Sequence, residues 1–180
     1  MVSAKKDGAF TFNTSYGSLS KNHENFDGIS VGAFEMAQFC AGYHTDKNPT
    51  FTVLELPFLG VASLEEEVAV SKAVYAHPAT QADLAQWDAE LLMPSPMPQY
   101  NIIGVGAAPR TIEDYKGLTV RALGGIGKAK ETIGAVPTSV TATEASQALD
   151  SGVDKSVSFA PHAHMAFGTG SGGNLVDRQP

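Results

Sequence analysis

One arginine stands where a charged side chain needs a partner. Arg121 interrupts the run Leu118-Thr-Val-Arg-Ala-Leu123, whose apolar residues predict a largely buried strand. A buried guanidinium destabilises a fold unless an anion or several acceptors surround it. From the sequence alone two partners are equally consistent: an internal carboxylate, such as Glu35 or Asp154, and the carboxylate of a bound ligand.

Two glycine-rich segments come close to nucleotide-binding motifs but do not match them. In Gly124-Gly-Ile-Gly-Lys128, Ala122 takes the place of the first glycine of a phosphate-binding loop. Ala129 takes the place of the hydroxyl residue that binds magnesium. In Gly104-Val-Gly-Ala-Ala-Pro109, proline replaces the third glycine of a dinucleotide motif. We therefore expect no nucleotide and no other cofactor.

The histidines and the cysteine do not form a recognisable metal site. His162 and His164 lie two positions apart, but no cysteine or third histidine stands at a supporting spacing. We interpret them as loop histidines at the end of a strand. Cys40 is the only cysteine, so no internal disulfide can form. The sequence therefore predicts no metal.

No catalytic residue is predicted either. The sequence contains neither a GxSxG nor an HExxH motif, and no nucleophile stands beside a recognisable base. Its paired carboxylates lie at the starts of predicted helices, where negative charge complements the helix dipole. The alternative is a small α/β enzyme that acts on a carboxylate through Glu35 or His162.

Charge and hydropathy exclude two classes of protein. With 12 Lys and Arg against 19 Asp and Glu, and a net charge of −7, the chain lacks the basic surface that nucleic acids require. No run of about 18 apolar residues predicts a membrane-spanning helix. Residues 1–8 lack the apolar core of a secretory signal, so taken alone they predict a cytoplasmic protein.

Predicted strands and helices alternate from residue 50 onward, which indicates an α/β fold. The strands are predicted at 51–56, 101–106, 117–123, 136–140 and 153–160, and the helices at 63–76, from 80 onward, at 126–134 and at 141–152. In the second helix Leu84, Trp87 and Leu91 share one face.

A proline-rich segment marks the predicted boundary between two lobes. Pro94, Pro96 and Pro98 interrupt all regular structure. We expect residues 1–98 to form part of a first lobe and residues 99–169 part of a second. Residues 170–180 have no packing pattern and predict a disordered tail.

Linked motifs run along much of the chain. The segment Thr111–Gly125, which includes Arg121, is similar to an "edlkGlkvRa" pattern. Further matches follow in order and spacing at 133–138, Glu144 and 147–154, and upstream matches lie at 42–49 and 54–59. Over roughly residues 26–168 the chain resembles the solute-binding proteins of tripartite ATP-independent periplasmic (TRAP) transporters.

This resemblance implies a two-lobe α/β fold of the periplasmic-binding-protein type (class II), incomplete in this chain. Family members bind a small carboxylate between their lobes and deliver it to the membrane permease subunits of the transporter. The resemblance also implies a periplasmic location and a fragment that lacks the beginning and the long C-terminal helix of the natural protein. A fragment that no longer binds solute is a further alternative. Many relatives carry asparagine where this chain has Ala160, which leaves the second ligand contact open.

The resemblance and the position of aromatic residues together predict the site. Arg121 matches the family's arginine that contacts the ligand carboxylate, through paired N–H donors. The acidic or polar residue of the first lobe maps near Phe34 and Glu35. Tyr100 and Phe159 lie near the lobe boundary or a predicted strand end, and we predict that they form apolar walls together with Phe34.

Overall fold

A five-stranded mixed sheet organises the second half of the chain. The computed structural model describes residues 11–170 and 174–177, and every strand in these ranges follows residue 100. The strands are β1 (Asn101–Gly104), β2 (Thr119–Arg121), β3 (Val136–Thr138), β4 (Ser156–Phe159) and β5 (Asn174–Asp177). Their spatial order is β3-β2-β4-β1-β5.

Three neighbouring strands of this sheet are parallel. β2 pairs in parallel with β3 and with β4, whereas β1 is antiparallel to both β4 and β5. The register places Arg121 opposite Thr138 on one side and Val157 on the other. Because parallel strands end at one edge, the segments that follow β2, β3 and β4 meet there, and open α/β sheets bind ligands at this edge.

Six α-helices are present in the part of the chain that the structure describes. They are α1 (Asn25–Ser30), α2 (Leu64–Ala76), α3 (Pro78–Ala85), α4 (Gly124–Thr132), α5 (Ala145–Asp150) and α6 (Pro161–Ala166). Ser63 begins α2, since its hydroxyl accepts the Glu66 N–H at 3.2 Å, as the capping motif predicts. Gly134 follows the end of α4 with φ +91°, the left-handed conformation expected of a glycine there.

The described residues before 101 form helices and turns without a strand. These residues, which we call the helical part of the chain, enclose a small apolar core, the helical core, formed by Phe26, Phe51 and Leu84. Partly buried aromatic rings pack against this core: Phe39, Tyr75 and Trp87. In the strand-containing part, a second core lies beneath β4, α5 and α6: Ala145, Leu149, Val157, Phe159 and Ala163.

The strand predicted at 51–56 is wrong, because this segment forms the 3₁₀ helix Pro49–Glu55. Proline at its start has the φ that helices use. Thr52 donates a hydrogen bond to the Pro49 carbonyl at 2.7 Å. The aromatic and β-branched residues of this segment suggested a strand. Phe51 is instead buried in the helical core, so tertiary packing decided the local conformation.

The other strand predictions are confirmed, although the strands are shorter than expected. Trp87 and Leu91 lie beyond the end of α3, yet both pack against the core around Leu84. Asn174–Asp177 forms β5, so the prediction of a disordered tail is wrong for these four residues. The rest of that prediction at 171–173 and 178–180, like residues 1–10, falls outside the described residues.

Residues 89–100, which include the prolines of the predicted lobe boundary, contain no helix or strand. The division into lobes at residue 98 stays a prediction. Within residues 11–170 and 174–177, no helix is both long enough and apolar enough to cross a membrane.

Candidate ligand-binding site around Arg121

Arg121 ends β2 at the shared edge of the parallel strands and is 2% exposed. Its Nε donates to the carbonyl of Val140 at 2.9 Å, and its Nη1 to the carbonyl of Ser158 at 3.4 Å. Its Nη2 donates to the hydroxyl of Tyr43 at 2.8 Å. The guanidinium carbon lies 4.3 Å from the centre of the Phe159 ring, which adds a cation–π interaction.

Among the residues that the structure describes, no carboxylate forms an ion pair with this guanidinium. Two carboxylates, Glu55 and Asp154, lie within its electrostatic range, because Arg121 lowers the pKa of each. Asp154 is fully buried but accepts hydrogen bonds from the Thr138 hydroxyl, at 2.9 and 3.0 Å. Burial raises the pKa of Asp154, while Thr138 and Arg121 lower it. Glu35 is exposed. Neither internal carboxylate suggested by the sequence therefore forms an ion pair with Arg121.

Two of the predicted wall residues lie near Arg121. Phe159 is 3% exposed and contacts the guanidinium with its ring, while also packing in the core beneath β4. Tyr100 precedes β1, and burial raises the pKa of its hydroxyl. Cys40 and Glu55 raise that pKa further and Arg121 lowers it, so Tyr100 lies within electrostatic range of the arginine.

The other two predicted residues are not brought to Arg121 by any contact in the structure. Phe34 packs its ring against Gly28 of α1, where an added Cβ would overlap the ring. Glu35 follows it in an exposed turn. Their assignment to the site stays a prediction.

Tyr43 was not among the predicted site residues, although it contacts Arg121 directly. It ends the 3₁₀ helix Ala41–Tyr43, in the helical part of the chain. Its hydroxyl accepts one hydrogen bond from Arg121 Nη2 and a second from the N–H of Ala142, at 3.0 Å. The only sequence signal was its place in the linked motif at 42–49.

Glu55 joins the helical part of the chain to α4. Its Oε2 accepts the N–H of Gly125 at 3.2 Å, in the first turn of α4, where negative charge is favourable. A Cβ on Gly42 would lie 2.9 Å from its Oε1, and a Cβ on Gly124 would overlap the carboxylate. Burial raises the pKa of Glu55, and the N–H groups of Gly125 and Gly42 lower it. The start of α4, whose sequence is similar to a phosphate-binding loop, therefore binds the carboxylate of Glu55.

The two histidines lie on α6, not in a loop as we expected from the sequence. His162 is exposed, whereas His164 is buried between Thr169, at 2.7 Å, and the carbonyl of Asn101, at 3.2 Å. Because a carbonyl only accepts, Nε2 of His164 carries the proton. Among the described residues no three side chains of His, Cys, Asp or Glu are grouped to bind a metal.

A cleft of about 260 Å³ opens between the helical part and the edge of the parallel strands. Gly42 and Thr45 line one side, and Ala122, Thr138 and Ser139 are among the residues that line the other. These residues flank Tyr43, Arg121 and Val140 in sequence. Arg121 itself does not line this cleft. Its guanidinium contacts Tyr43 and Phe159 instead.

The family model described as bacterial extracellular solute-binding protein, family 7, matches residues 1–154. The chain belongs to this family. The family predicted from the linked motifs is thus confirmed. Among curated proteins, none matches the chain significantly.

Solved structures of TRAP solute receptors share the fold. DctP7 of Bordetella pertussis, described as binding pyroglutamic acid, is 24% identical with a TM-score of 0.81, over 96% of this chain and 57% of that one. A Bordetella bronchiseptica receptor with bound mandelate is 18% identical (TM-score 0.82; 96% and 55% covered). A Sulfitobacter receptor with bound galacturonate is 18% identical (TM-score 0.79; 96% and 58% covered). The two-lobe α/β fold class is therefore confirmed, and the chain spans a little over half the length of these neighbours.

Proposed function

We propose that this protein is a periplasmic receptor that binds a small carboxylate at Arg121 and delivers it to the membrane permease of a TRAP transporter. The observation that carries the proposal is a buried guanidinium that forms no ion pair with a carboxylate among the described residues. Burying a cation is costly unless an anion joins it, and a ligand carboxylate is the anion that family membership favours.

The hydrogen-bond inventory of Arg121 supports a bidentate ligand. A guanidinium has five N–H donors, one on Nε and two on each terminal nitrogen. Nε, Nη1 and Nη2 each make one hydrogen bond to the protein. One N–H therefore remains on each terminal nitrogen, and a carboxylate accepts such a pair through its two oxygens. The three existing bonds also fix the orientation of the fork before the ligand arrives.

The protein, as we propose it, binds without catalysis. The enzyme alternative relied on Glu35 or His162, and both side chains are exposed and make no hydrogen bond within the described ranges. The solved neighbours with bound acids are receptors, which favours the same conclusion.

Calorimetric titration of the chain with a panel of acids tests the proposal. The panel contains pyroglutamate, mandelate, 3-hydroxybenzoate and galacturonate, with inorganic phosphate as a further anion. At least one acid should bind, and Arg121→Ala should weaken it by about two to four orders of magnitude. That range follows from two charge-assisted hydrogen bonds at about 1.5–3 kcal/mol each. Arg121→Lys keeps the charge without the fork and should recover only part of the affinity.

The matched control is Arg110→Lys, because the Arg110 side chain is exposed and makes no ion pair within the described residues. It should leave affinity unchanged. Arg121→Ala will also lower the stability of the unliganded chain, since two carbonyls lose a donor, so binding is compared at a temperature where each variant is folded. Unchanged affinity in folded Arg121→Ala would refute the assignment of the anchor.

A further inference from the structure

We infer that Tyr43 is a second carboxylate contact: its phenolic O–H, beside the two remaining N–H groups of Arg121, donates a third hydrogen bond to the ligand. This inference rests on the proposed function and identifies a further residue of the same site. It comes from the hydrogen-bond arrangement at the Tyr43 oxygen.

That oxygen already accepts two hydrogen bonds from the protein. Arg121 Nη2 donates to it at 2.8 Å and the N–H of Ala142 at 3.0 Å. With both acceptor positions filled, the hydroxyl can only donate its own hydrogen to a further partner. In residues 11–170 and 174–177 no acceptor takes that hydrogen. The Tyr43 hydroxyl, which could otherwise donate or accept, can therefore act only as a donor to a further partner.

The donor that results lies next to the guanidinium. The Tyr43 oxygen is one hydrogen bond away from Nη2, so its hydrogen and the remaining N–H groups of Arg121 share one small region. Three donors without an acceptor, two of them on the guanidinium cation, form a site that accepts an anion and disfavours any group that must itself donate. A carboxylate, with two oxygens and about four lone-pair positions, can accept all three.

Tyr43 is also held where it can perform this role. It comes from the helical part of the chain, whereas Arg121 ends β2 and Ala142 follows β3. Its ring centre lies 6.0 Å from the guanidinium carbon. The neighbouring Gly42 allows close approach to Leu123 and Glu55, because a Cβ there would come within 2.8 Å of the Leu123 Cβ. A carboxylate held by Arg121 and Tyr43 together would therefore link both parts of the chain.

Tyr43→Phe removes the hydroxyl and keeps the ring, and calorimetric titration measures the effect. We expect the affinity for each acid that binds the wild type to fall about 10- to 100-fold. The factor should be similar for acids with different bodies, such as mandelate and galacturonate, because the lost contact is with the carboxylate that they share. Tyr16→Phe is the matched control, since Tyr16 is 91% exposed, and it should change nothing.

A measurement on the wild-type chain accompanies the variant. With ¹³Cζ-labelled tyrosine, adding the acid should shift the resonance that is missing from Tyr43→Phe, and the Tyr16 resonance should not move. Equal affinity in Tyr43→Phe and wild type, or tighter binding in the variant, would overturn the inference while leaving the proposed function intact. Tighter binding would mean that the hydroxyl competes with the ligand for Arg121. If no acid binds the wild type, the proposed function fails, and the inference fails with it.

Discussion

Replacing Gly124 by alanine should destabilise the fold by displacing Glu55, the carboxylate that joins the helical part of the chain to α4. Gly124 has φ +49°, a left-handed conformation in which a Cβ costs roughly 1–2 kcal/mol. The added Cβ would also overlap the Glu55 carboxylate and displace it from the Gly125 N–H. A hydrogen bond to a charged group contributes about 1.5–3 kcal/mol, part of which is offset when a desolvated carboxyl regains water. Gly124→Ala should therefore lower the free energy of unfolding by about 2–5 kcal/mol.

Urea unfolding followed by the fluorescence of Trp87, the single tryptophan, measures this loss. Gly60→Ala is the matched control, because Gly60 has φ +71° and no atom within 4 Å of its would-be Cβ. Gly60→Ala should lower the free energy of unfolding only by the cost of a Cβ in the left-handed conformation, roughly 1–2 kcal/mol. Glu55→Ala and the double variant complete a double-mutant cycle. The double variant should cost less than the sum of the single ones, because Glu55 is no longer present to be displaced.

Two results would contradict this reasoning. Gly124→Ala and Gly60→Ala could lose the same free energy, which would mean that the overlap with Glu55 is relieved at no cost. Alternatively the losses in the cycle could add, which would mean that Gly124 and Glu55 do not interact in the folded protein.

Three further outcomes are expected. Burial lowers the pKa of His164, so the folded state favours the neutral imidazole. The stability that His164 contributes should therefore be present above pH about 6.5 and fall as the pH drops below it. Urea midpoints measured between pH 8 and 5 should depend less on pH in His164→Gln, and an equal pH dependence would contradict this. Leu84→Ala in the helical core should lower the free energy of unfolding in urea by about 2–5 kcal/mol. Its control is Leu64→Ala at an exposed position, which should cost less than about 0.5 kcal/mol. A loss at Leu84 no larger than the control would mean that the core repacks around the missing side chain without cost. Burial, and then Glu55, raise the pKa of Cys40 to about 11. At pH 8 iodoacetamide should therefore react with the folded chain about a hundredfold more slowly than with the chain unfolded in urea. Comparable rates would mean that the thiol is open to water.

Much of the local structure around the site was readable from the sequence. The apolar run around Arg121 predicted a buried strand, and β2 with its 2% exposed arginine confirms it. Ser63 and Gly134 marked helix ends correctly. These predictions succeeded because each depends on residues a few positions apart: a helix cap needs only its own first turn, and a buried strand only its own side chains.

The composition of the site was decided by the tertiary structure. Tyr43 meets Arg121 across 78 positions, and Glu55 meets Gly125 across 70, so no local pattern could show either contact. The same long-range packing turned the predicted strand at 51–56 into a 3₁₀ helix, because Phe51 gains more from the helical core than from pairing with a strand. The sequence by itself determined that Arg121 would be buried and in need of acceptors. Only the fold decided that these acceptors are two carbonyls and a hydroxyl rather than a carboxylate in an ion pair.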